Sequence, residues 1–331
     1  MTDSSRPIRL ALAGCGGIAQ THLEAIARVG RVKLEVIQDI NPTAGEQAAA
    51  KYACRFTKNP DELFKDRNLD AVLVCTPPAT HFEFVKKIVE AGKHVLCEKP
   101  FTTSLKDAEA IKKLSAKSGK LVMMASKFRF VSDVIEAKKF VESGVLGDIV
   151  LSEVIFCSVV NMERRWNADP GISGGGVLID NGSHAVDVIR YLVGPIKSVY
   201  AQAGKRTQNI AVEDTARLHF ETETNIIGMV DLSWSLYKHT ANYVNLFGTR
   251  GTAEVGWSQS SIWDAGEKSS RVFGNGYKKL DAFVRQMEHF ADCIQGKTAP
   301  ILGIDDALES VRVIEAAYTS IREKKWLKVH P

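Results

Sequence analysis

A glycine-rich turn between an apolar run and a helical pattern constrains the fold more than any other part of this sequence. The run Ile8–Ala13 has the length and composition of a buried parallel strand, and it leads directly into Gly14-Cys15-Gly16-Gly17-Ile18-Ala19. In this G-x-G-x-x-A pattern the first glycine permits a tight turn, the second lets a pyrophosphate approach the backbone, and the final alanine lets helix and strand pack closely. Because the N-terminus of the following helix faces the phosphates, the segment predicts a dinucleotide-binding site. Its predicted cofactor-binding residues are Gly14, Gly16, Gly17, Ile18 and Ala19.

An acidic residue at the end of the second predicted strand indicates which dinucleotide binds. That strand, Lys33–Asp39, ends about 20 residues beyond Ala19, the separation at which such sites carry their acid. A carboxylate at this position accepts hydrogen bonds from the adenosine ribose hydroxyls and repels a 2′-phosphate, and Ile40-Asn41-Pro42 offers no cation for that phosphate. We therefore predict NAD as the cofactor. The alternative is that Asp39 only caps a turn before Pro42.

Strand and helix patterns alternate up to residue 125 and predict an α/β domain, residues 1–125, with a doubly wound parallel sheet of the Rossmann type. Two segments, Thr76-Pro77-Pro78 and Glu98-Lys99-Pro100, follow successive strands, so both should line the cofactor crevice at the carboxyl edge of the sheet. Lys99 would then lie beside the nicotinamide. The alternative for this lysine is a solvated position at a strand end. The further cofactor-binding residues predicted here are Thr76, Pro77, His81, Glu98 and Lys99.

The pattern changes after Ala125, where we predict a second domain of the α+β class, residues 126–331. A helix at Ser132–Gly144 precedes a long alternating strand, Asp148–Val160, and five further strand patterns follow. Together they predict an open, mainly antiparallel sheet of about six strands. Two helices close the chain, and the last of them is free to pack back on the first domain.

The most informative stretch of the second domain is a triple glycine followed by a helical pattern. If Gly174–Asp187 is helical, Asp180 and His184 lie one turn apart on one face of the helix. Such a pair can be half of a metal site, an acid/base pair or a plain surface contact. No third and fourth ligands recur at metal-like spacing, so we predict no metal site.

Charge and composition argue against several classes of protein. The formal net charge of +4 is distributed along the chain, and the lysine pairs lie in helix-like segments, so solvated helix faces explain them better than a nucleic-acid surface. The six cysteines show no C-x-x-C spacing, which fits a reducing cytoplasm. No apolar stretch approaches the roughly 20 residues of a membrane span. We predict a soluble, cytoplasmic protein that binds a small molecule and neither nucleic acid nor membranes.

Four motifs, taken in order, resemble the Gfo/Idh/MocA family of sugar and cyclitol oxidoreductases. They are AGCGGIAQTH, CTPPATH, the EKP triplet and WNADPGISGGGVLIDNGSHAVD, and the resemblance extends from end to end of the chain. It implies that Lys99 is the catalytic lysine and that Asp180 and His184 are substrate-binding and acid/base residues. It also implies an open-faced sheet in the second domain through which the protein forms a homodimer or homotetramer.

The resemblance further implies an NAD-dependent dehydrogenase that transfers hydride between nicotinamide and a secondary hydroxyl or ketone of a sugar, cyclitol or nucleotide-linked sugar. In this hypothesis Lys99 is the base or proton relay, His184 contacts the reacting hydroxyl, and Asp180 orients a neighbouring hydroxyl or the histidine. A partly dehydrated lysine beside the cationic nicotinamide gives up its proton more readily, as a base at neutral pH must. The alternative class is a dinucleotide-binding protein of the same fold without net redox chemistry, such as a regulator or an NAD-retaining glycosidase.

One segment departs from the family pattern. Many relatives have an arginine after the tryptophan of the fourth motif, whereas Trp166 is followed here by Asn167. Arg164 and Arg165, just upstream, either replace that arginine or bind an acidic group of the substrate. Lys127 and Arg129, which follow the last strand of the first domain, are either further substrate contacts or solvated charges between the domains. The predicted substrate-binding residues are Lys99, Lys127, Arg129, Arg164, Arg165, Trp166, Asp180 and His184.

Overall fold

The structure, a computed structural model, describes residues 6–330 and divides into two compact units. The first unit contains the chain up to Lys127 together with Lys279–Glu309. The second contains Phe128–Lys278 and the chain from Ser310 onwards. The chain therefore enters each unit twice, which differs from the two contiguous domains expected from the sequence.

The first unit is built on a parallel sheet of six strands. The strands are β1 (Ile8–Ala13), β2 (Val32–Gln38), β3 (Arg55–Thr57), β4 (Ala71–Val74), β5 (His94–Glu98) and β6 (Val122–Ala125). The helices between them are α1 (Gly17–Ile26), α2 (Pro42–Lys51), α3 (Asp61–Lys65), α4 (His81–Glu90) and α5 (Leu105–Ser118). The strand order is β3-β2-β1-β4-β5-β6, so the winding reverses between β1 and β4, where doubly wound sheets open a ligand crevice. The predicted Rossmann sheet is confirmed.

Local signals set the ends of these helices. The Ser104 side chain accepts a hydrogen bond from the Asp107 N–H at the start of α5, and Gly119 ends the helix in the left-handed conformation. Asn41 caps α2 in the same way, through the N–H groups of Thr43 and Ala44. These caps fix the residues at which the helices begin or end, and therefore where the following strands begin.

The second unit is built on a larger mixed sheet. Its first helices are α6 (Ser132–Glu142), α7 (Pro170–Ser173) and α8 (Val177–Val193). Its strands are β7 (Ile149–Cys157), β8 (Ile196–Ala203), β9 (Thr215–Thr222), β10 (Ile227–Ser233), β11 (Asn242–Gly248), β12 (Gly251–Gly256), β13 (Ser260–Asp264), β14 (Ser269–Gly274) and β15 (Leu327–Lys328). Only β7 and β10 pair in parallel, so the expectation of a mainly antiparallel sheet is confirmed. Helix α8 packs on one face, against β7, β9 and β10.

This sheet has nine strands instead of about six, in the order β14-β13-β12-β11-β7-β10-β9-β8-β15. The additional strands are β13, β14 and β15. Their sequences begin with paired serines or span only two residues, so the alternation of apolar and polar side chains that marks a strand is weak in them.

The last two helices are α9 (Lys279–Ile294) and α10 (Ile304–Glu323). Helix α9 belongs to the first unit, where it packs on α1. The rings of His22 and Phe283 are arranged edge to face, with their centroids 4.6 Å apart, and Arg31 pairs with Asp292. The division between the units falls within α10. Helix α9 and the start of α10, as far as Glu309, therefore complete the first unit, and Lys112 of α5 pairs with Asp305 of α10 there.

Two further observations concern the described chain as a whole. No helix within residues 6–330 combines the length and apolar character that crossing a membrane requires. All six cysteines are unpaired.

Candidate active site

Gly14 makes the turn from β1 into α1, and the structure leaves no room for a side chain there. Its φ angle is +86°, and a Cβ atom would lie 2.7 Å from the carbonyl oxygen of Cys75, which follows the neighbouring strand β4. The Gly14 N–H donates to the Gln38 carbonyl at the end of β2, at 2.8 Å. Only glycine satisfies both the dihedral angle and the close approach.

Gly16 and Gly17 differ from Gly14 in that they face open space. A Cβ atom at either position would meet nothing within 4 Å. No side chain caps the N-terminus of α1, so its first N–H groups present positive ends of the peptide dipoles to the space beside the glycines. Ala19 is fully buried and lets α1 lie close to the sheet, while Ile18 is half-buried. Open space beside an uncapped helix N-terminus is what a bound pyrophosphate requires.

The Asp39 carboxylate holds the glycine turn to the end of β2. One oxygen accepts from the Cys15 N–H at 2.6 Å and the other from the Asn41 N–H at 2.7 Å. The turn cap considered from the sequence is thus present. A carboxylate offers about four acceptor sites, so these bonds leave capacity for ribose hydroxyls, and the ribose contact stays a prediction.

His81 connects the loops that follow β4 and β5. Its two ring nitrogens lie 2.8 Å from the carbonyl oxygens of Thr76 and Pro100. The side chain is buried, and this burial lowers the pKa of the imidazole. Since each ring nitrogen lies at hydrogen-bonding distance from a backbone carbonyl of a different loop, His81 has the position of a brace between the loops. Pro77 is exposed on the loop after β4. In the same loop the Thr76 hydroxyl accepts a hydrogen bond from the Thr80 hydroxyl at 2.7 Å.

Lys99 follows β5, is half-buried and precedes a cis peptide bond to Pro100. Its backbone N–H donates to the Glu98 carboxylate at 3.0 Å, and the second Glu98 oxygen accepts from His22 Nε2 at 2.8 Å. Burial alone would raise the pKa of the Glu98 carboxyl. The hydrogen bond and charge of His22, with the charges of Lys99 and Lys127, hold this pKa below its usual range. The carboxylate beside the lysine is therefore ionised at neutral pH.

In the second unit, the glycines before α8 are required by close packing. Gly174 and Gly175 have φ angles of +81° and +158°. A Cβ atom on Gly175 would lie 2.1 Å from the Tyr318 hydroxyl oxygen, and one on Gly176 would lie 2.0 Å from the Glu213 carbonyl oxygen. The groups that approach these glycines closely come from α10 and from the segment leading into β9.

Glu213 caps α8 from outside the helix. Its carboxylate accepts from the N–H groups of Gly176 (3.1 Å) and Leu178 (3.0 Å) and from the Tyr318 hydroxyl (2.8 Å). Burial raises the pKa of the Glu213 carboxyl, although these donors oppose the rise. The cap fixes the point at which α8 begins, and thereby the directions of the side chains in its first turns.

Asp180 and His184 lie one turn apart on α8, and the predicted helix through them is confirmed. Asp180 is half-buried, whereas His184 is 6% exposed. The rings of His184 and Phe128 are arranged edge to face, with their centroids 5.1 Å apart. Phe128 stacks on Tyr277 at 5.3 Å, so the histidine has an aromatic wall on one side. Within residues 6–330, no three His, Cys, Asp or Glu side chains are grouped so as to hold a metal ion.

Arg129 is 3% exposed, which excludes the solvated charge considered from the sequence. Its guanidinium pairs with both oxygens of Asp187 of α8, with Nη2 2.6 Å from Oδ1 and Nε 3.0 Å from Oδ2, and it lies over the Tyr191 ring. The reason is that a fully buried carboxylate requires a cation. The structure thus places this predicted substrate residue in an ion pair, while Lys127 is half-buried in the first unit.

Arg164 and Arg165 are exposed and line an open groove in the second unit, together with Asn209. Trp166 is 44% exposed and begins a short 3-10 turn that contains Asn167. The structure brings the two arginines to one groove, and their contact with substrate stays a prediction.

Several of the residues described above were not predicted from the sequence. His22 lies inside one of the recognised motifs, and Phe128 lies between two predicted residues, so signals for both were present. Glu213 and Tyr318 are distant in sequence from the glycines that they contact, and no local pattern marks them.

Comparison with families of known proteins gives two matches. Residues 8–126 match a family described as GFO_IDH_MocA, "Oxidoreductase family, NAD-binding Rossmann fold", and residues 134–254 match the "GFO/IDH/MocA C-terminal domain".

Individual relatives are similar over nearly the whole chain. The chain is 26% identical to the scyllo-inositol 2-dehydrogenase (NAD(+)) of Bacillus subtilis strain 168, covering 95% of this chain and 94% of that protein. It is 25% identical to the myo-inositol 2-dehydrogenase of Thermotoga maritima, covering 97% and 98%. A solved levoglucosan dehydrogenase, in complex with NADH and levoglucosan, superimposes with a TM-score of 0.92 over 98% of this chain and 100% of that one. At 19% identity, this last likeness concerns the fold alone.

Proposed function

The chain belongs to the Gfo/Idh/MocA family of oxidoreductases with an NAD-binding Rossmann fold, and on this basis we propose that it transfers hydride between NAD(H) and a secondary hydroxyl or ketone of a sugar or cyclitol. The observation that carries the proposal is the combination in one chain of an open glycine turn, a lysine directly after β5, and Asp180 and His184 on one face of α8. A protein that only binds a dinucleotide needs the turn but not the proton-transferring side chains.

Bound NAD would supply the hydride acceptor, and it would be held by the glycine turn, Asp39 and the loops after β4 and β5. The other tasks fall to side chains: to bind the alcohol, to orient it and to take its hydroxyl proton. We assign Lys99 as base or relay, His184 as the group that contacts the reacting hydroxyl, and Asp180 as the residue that orients a neighbouring hydroxyl or the histidine. In the reductive direction the same side chains return the proton.

We further propose a polyhydroxylated ring as substrate. Two similar proteins are named inositol 2-dehydrogenases, and a structural neighbour is named for levoglucosan. A ring with several hydroxyls gives both Asp180 and His184 a partner. A ring that carries an acidic or nucleotide group would add Arg164 and Arg165, in their exposed groove, as binding residues.

The test is to follow the absorbance of reduced nicotinamide while the protein is incubated with NAD and a panel of inositols and sugars. Oxidation of at least one member supports the proposal. Tight NAD binding without oxidation of any cyclitol or sugar, and without reduction of the matching ketones by NADH, would instead support a regulator or an NAD-retaining glycosidase.

The position of Asp39 gives a prediction about cofactor choice. We expect NADH to bind more tightly than NADPH, because charge-assisted hydrogen bonds are worth about 1.5–3 kcal/mol, roughly ten- to a hundredfold in affinity, before phosphate repulsion is added. Fluorescence titration of the protein with each reduced cofactor measures the ratio. Equal or tighter NADPH binding would contradict the prediction.

A second prediction concerns assembly. The face of the second-unit sheet opposite to α8 carries a row of side chains in direct register across five strands: Ile227, Leu151, Phe247, Thr252 and Trp263. Ile227 and Trp263 are 56% and 45% exposed, and Val272 on the same face is 57% exposed. Because so much exposed apolar surface is unusual on a monomer, we propose that this face joins two copies in a homodimer, which itself can pair to a tetramer.

Light scattering at micromolar concentration measures this assembly directly. We expect a dimer or tetramer mass for the wild type and a shift to monomer for Trp263→Lys, which introduces a charge into the row. A wild-type monomer whose mass is unchanged by concentration or by added cofactor would exclude the interface.

A further inference from the structure

A buried histidine and a buried glutamate meet beside Lys99 in the first unit. His22 in α1 is fully buried and Glu98 is 6% exposed, and their side chains lie 2.8 Å apart. The second Glu98 oxygen accepts the Lys99 N–H. The helix that follows the glycine turn is thus connected by one polar contact to the residue before the proposed base.

Packing alone does not account for this pair. His22 Nδ1 is buried without a hydrogen-bond partner among the described residues, and so are both amide atoms of Gln286, one turn after Phe283 on α9. Polar atoms left unpaired in a core reduce stability, and apolar side chains of similar shape often replace a buried ion pair without loss. A carboxylate at this place therefore calls for a reason other than stability.

We propose that His22 and Glu98 are positioning residues: they hold a fixed negative charge at the end of β5, which orients Lys99 and stabilises its ammonium form between turnovers. The inference rests on the proposed function, because it assigns a purpose to the proton carried by Lys99. His22 contributes by keeping Glu98 ionised and in one orientation, while the backbone N–H of Lys99 donates to the same carboxylate.

The charge of Glu98 acts among several titratable neighbours. Those that interact with it electrostatically from the elements around it are His22, Cys75, His81, Cys97, Lys99 and Lys127. Among them, His22 and the two lysines lower the pKa of the Glu98 carboxyl. Because attraction between opposite charges is mutual, the role proposed for the carboxylate is to favour the ammonium form of Lys99.

The first test is the pH profile of kcat/KM for alcohol oxidation. Glu98→Gln keeps the shape and one acceptor oxygen for the Lys99 N–H but removes the charge, so Lys99 should lose its proton at lower pH. We expect the acid limb to move down by about one pH unit, the lower end of what an adjacent opposite charge produces. Glu90→Gln, on the exposed side of α4, removes the same charge into solvent and should leave the limb in place. A Glu98→Gln limb within about 0.2 pH unit of wild type, too small for loss of an adjacent charge, overturns the proposal.

His22 provides a second route that does not depend on the folding of Glu98→Gln. His22→Phe keeps a ring against Phe283 but removes the donor, so Glu98 should hold its proton more strongly and the limb should move in the same direction. His22→Gln restores a donor and should return the limb towards wild type. Because both residues act through one charge, the double variant His22→Phe/Glu98→Gln should move no further than Glu98→Gln alone. Additive shifts would contradict the shared mechanism.

A measurement without turnover separates this inference from the proposed function. Lysines methylated with ¹³C report their own titration by NMR, and the Lys99 signal is identified by its loss in Lys99→Arg. A downward shift of its midpoint in Glu98→Gln supports the positioning role even if no substrate is found. An unshifted midpoint refutes that role even if the enzyme proves active.

Discussion

Lys99→Met is expected to lower kcat for alcohol oxidation by about 10²–10⁴, the range for loss of a general base. Methionine keeps an unbranched side chain but has no amine, so it can neither take nor pass on the hydroxyl proton. The affinity for NAD should fall much less than kcat, because the glycine turn after β1 and Asp39 after β2, which are also expected to hold the cofactor, are left intact. Binding and chemistry should therefore separate in this variant.

Two comparisons interpret that loss. Lys99→Arg should restore little activity, since a guanidinium keeps the charge but does not deprotonate near neutral pH. If Lys99 only positions substrate through its charge, Lys99→Arg should retain much of the rate and the loss should appear mainly in KM. Lys113→Met, at an exposed position on α5, is the matched control and should behave as wild type. A Lys99→Met kcat within about threefold of wild type would leave His184 as the proton acceptor.

Asp187→Ala is expected to reduce the free energy of unfolding by about 3–5 kcal/mol, the effect of removing one partner of a buried ion pair. The side chains of Arg129 and Asp187 are 4% and 0% exposed, so the variant removes the carboxylate that pairs with a buried guanidinium. Urea denaturation followed by tryptophan fluorescence measures the change as a shift of the midpoint.

The same experiment includes its controls. In the double variant Arg129→Met/Asp187→Leu both charges of the pair are replaced by apolar side chains, so much of the lost stability should return. Glu136→Ala, which breaks an exposed pair with Lys139 on α6, should change stability by about 0.5 kcal/mol or less. An Asp187→Ala effect no larger than that of Glu136→Ala would mean that the buried pair contributes little to the fold.

Where short-range signals decide the structure, the sequence is a good guide. The strand Ile8–Ala13 has the predicted bounds, the helix His81–Glu90 follows directly on the predicted loop at Thr76-Pro77-Pro78, and Ser104 and Gly119 cap the start and the end of α5. Each of these features depends on residues within a few positions of one another: an apolar run, a capping hydroxyl, or a glycine in the left-handed conformation.

Features that depend on distant partners could not be found in this way. Nothing in the local sequence indicates that the Arg129 guanidinium meets Asp187, and a charge after a strand is more often solvated than buried. Likewise, Glu213 precedes strand β9 in the sequence, far from the start of α8. Only the folded sheet brings its carboxylate to the N-terminus of that helix. The strand Arg55–Thr57 is too short to show a period.

The return of α9 to the first unit has a consequence for how the protein is made. A ribosome releases residues 6–127 long before Lys279–Glu309, so the nucleotide-binding sheet emerges while the helix that covers α1 is still unsynthesised. Domains usually fold in the order of synthesis. Here we expect the first unit to remain incomplete, with the α1 face that carries His22 uncovered, until most of the chain has left the exit tunnel. Limited proteolysis of stalled nascent chains should therefore find residues 6–127 protected only once residues beyond Glu309 have emerged.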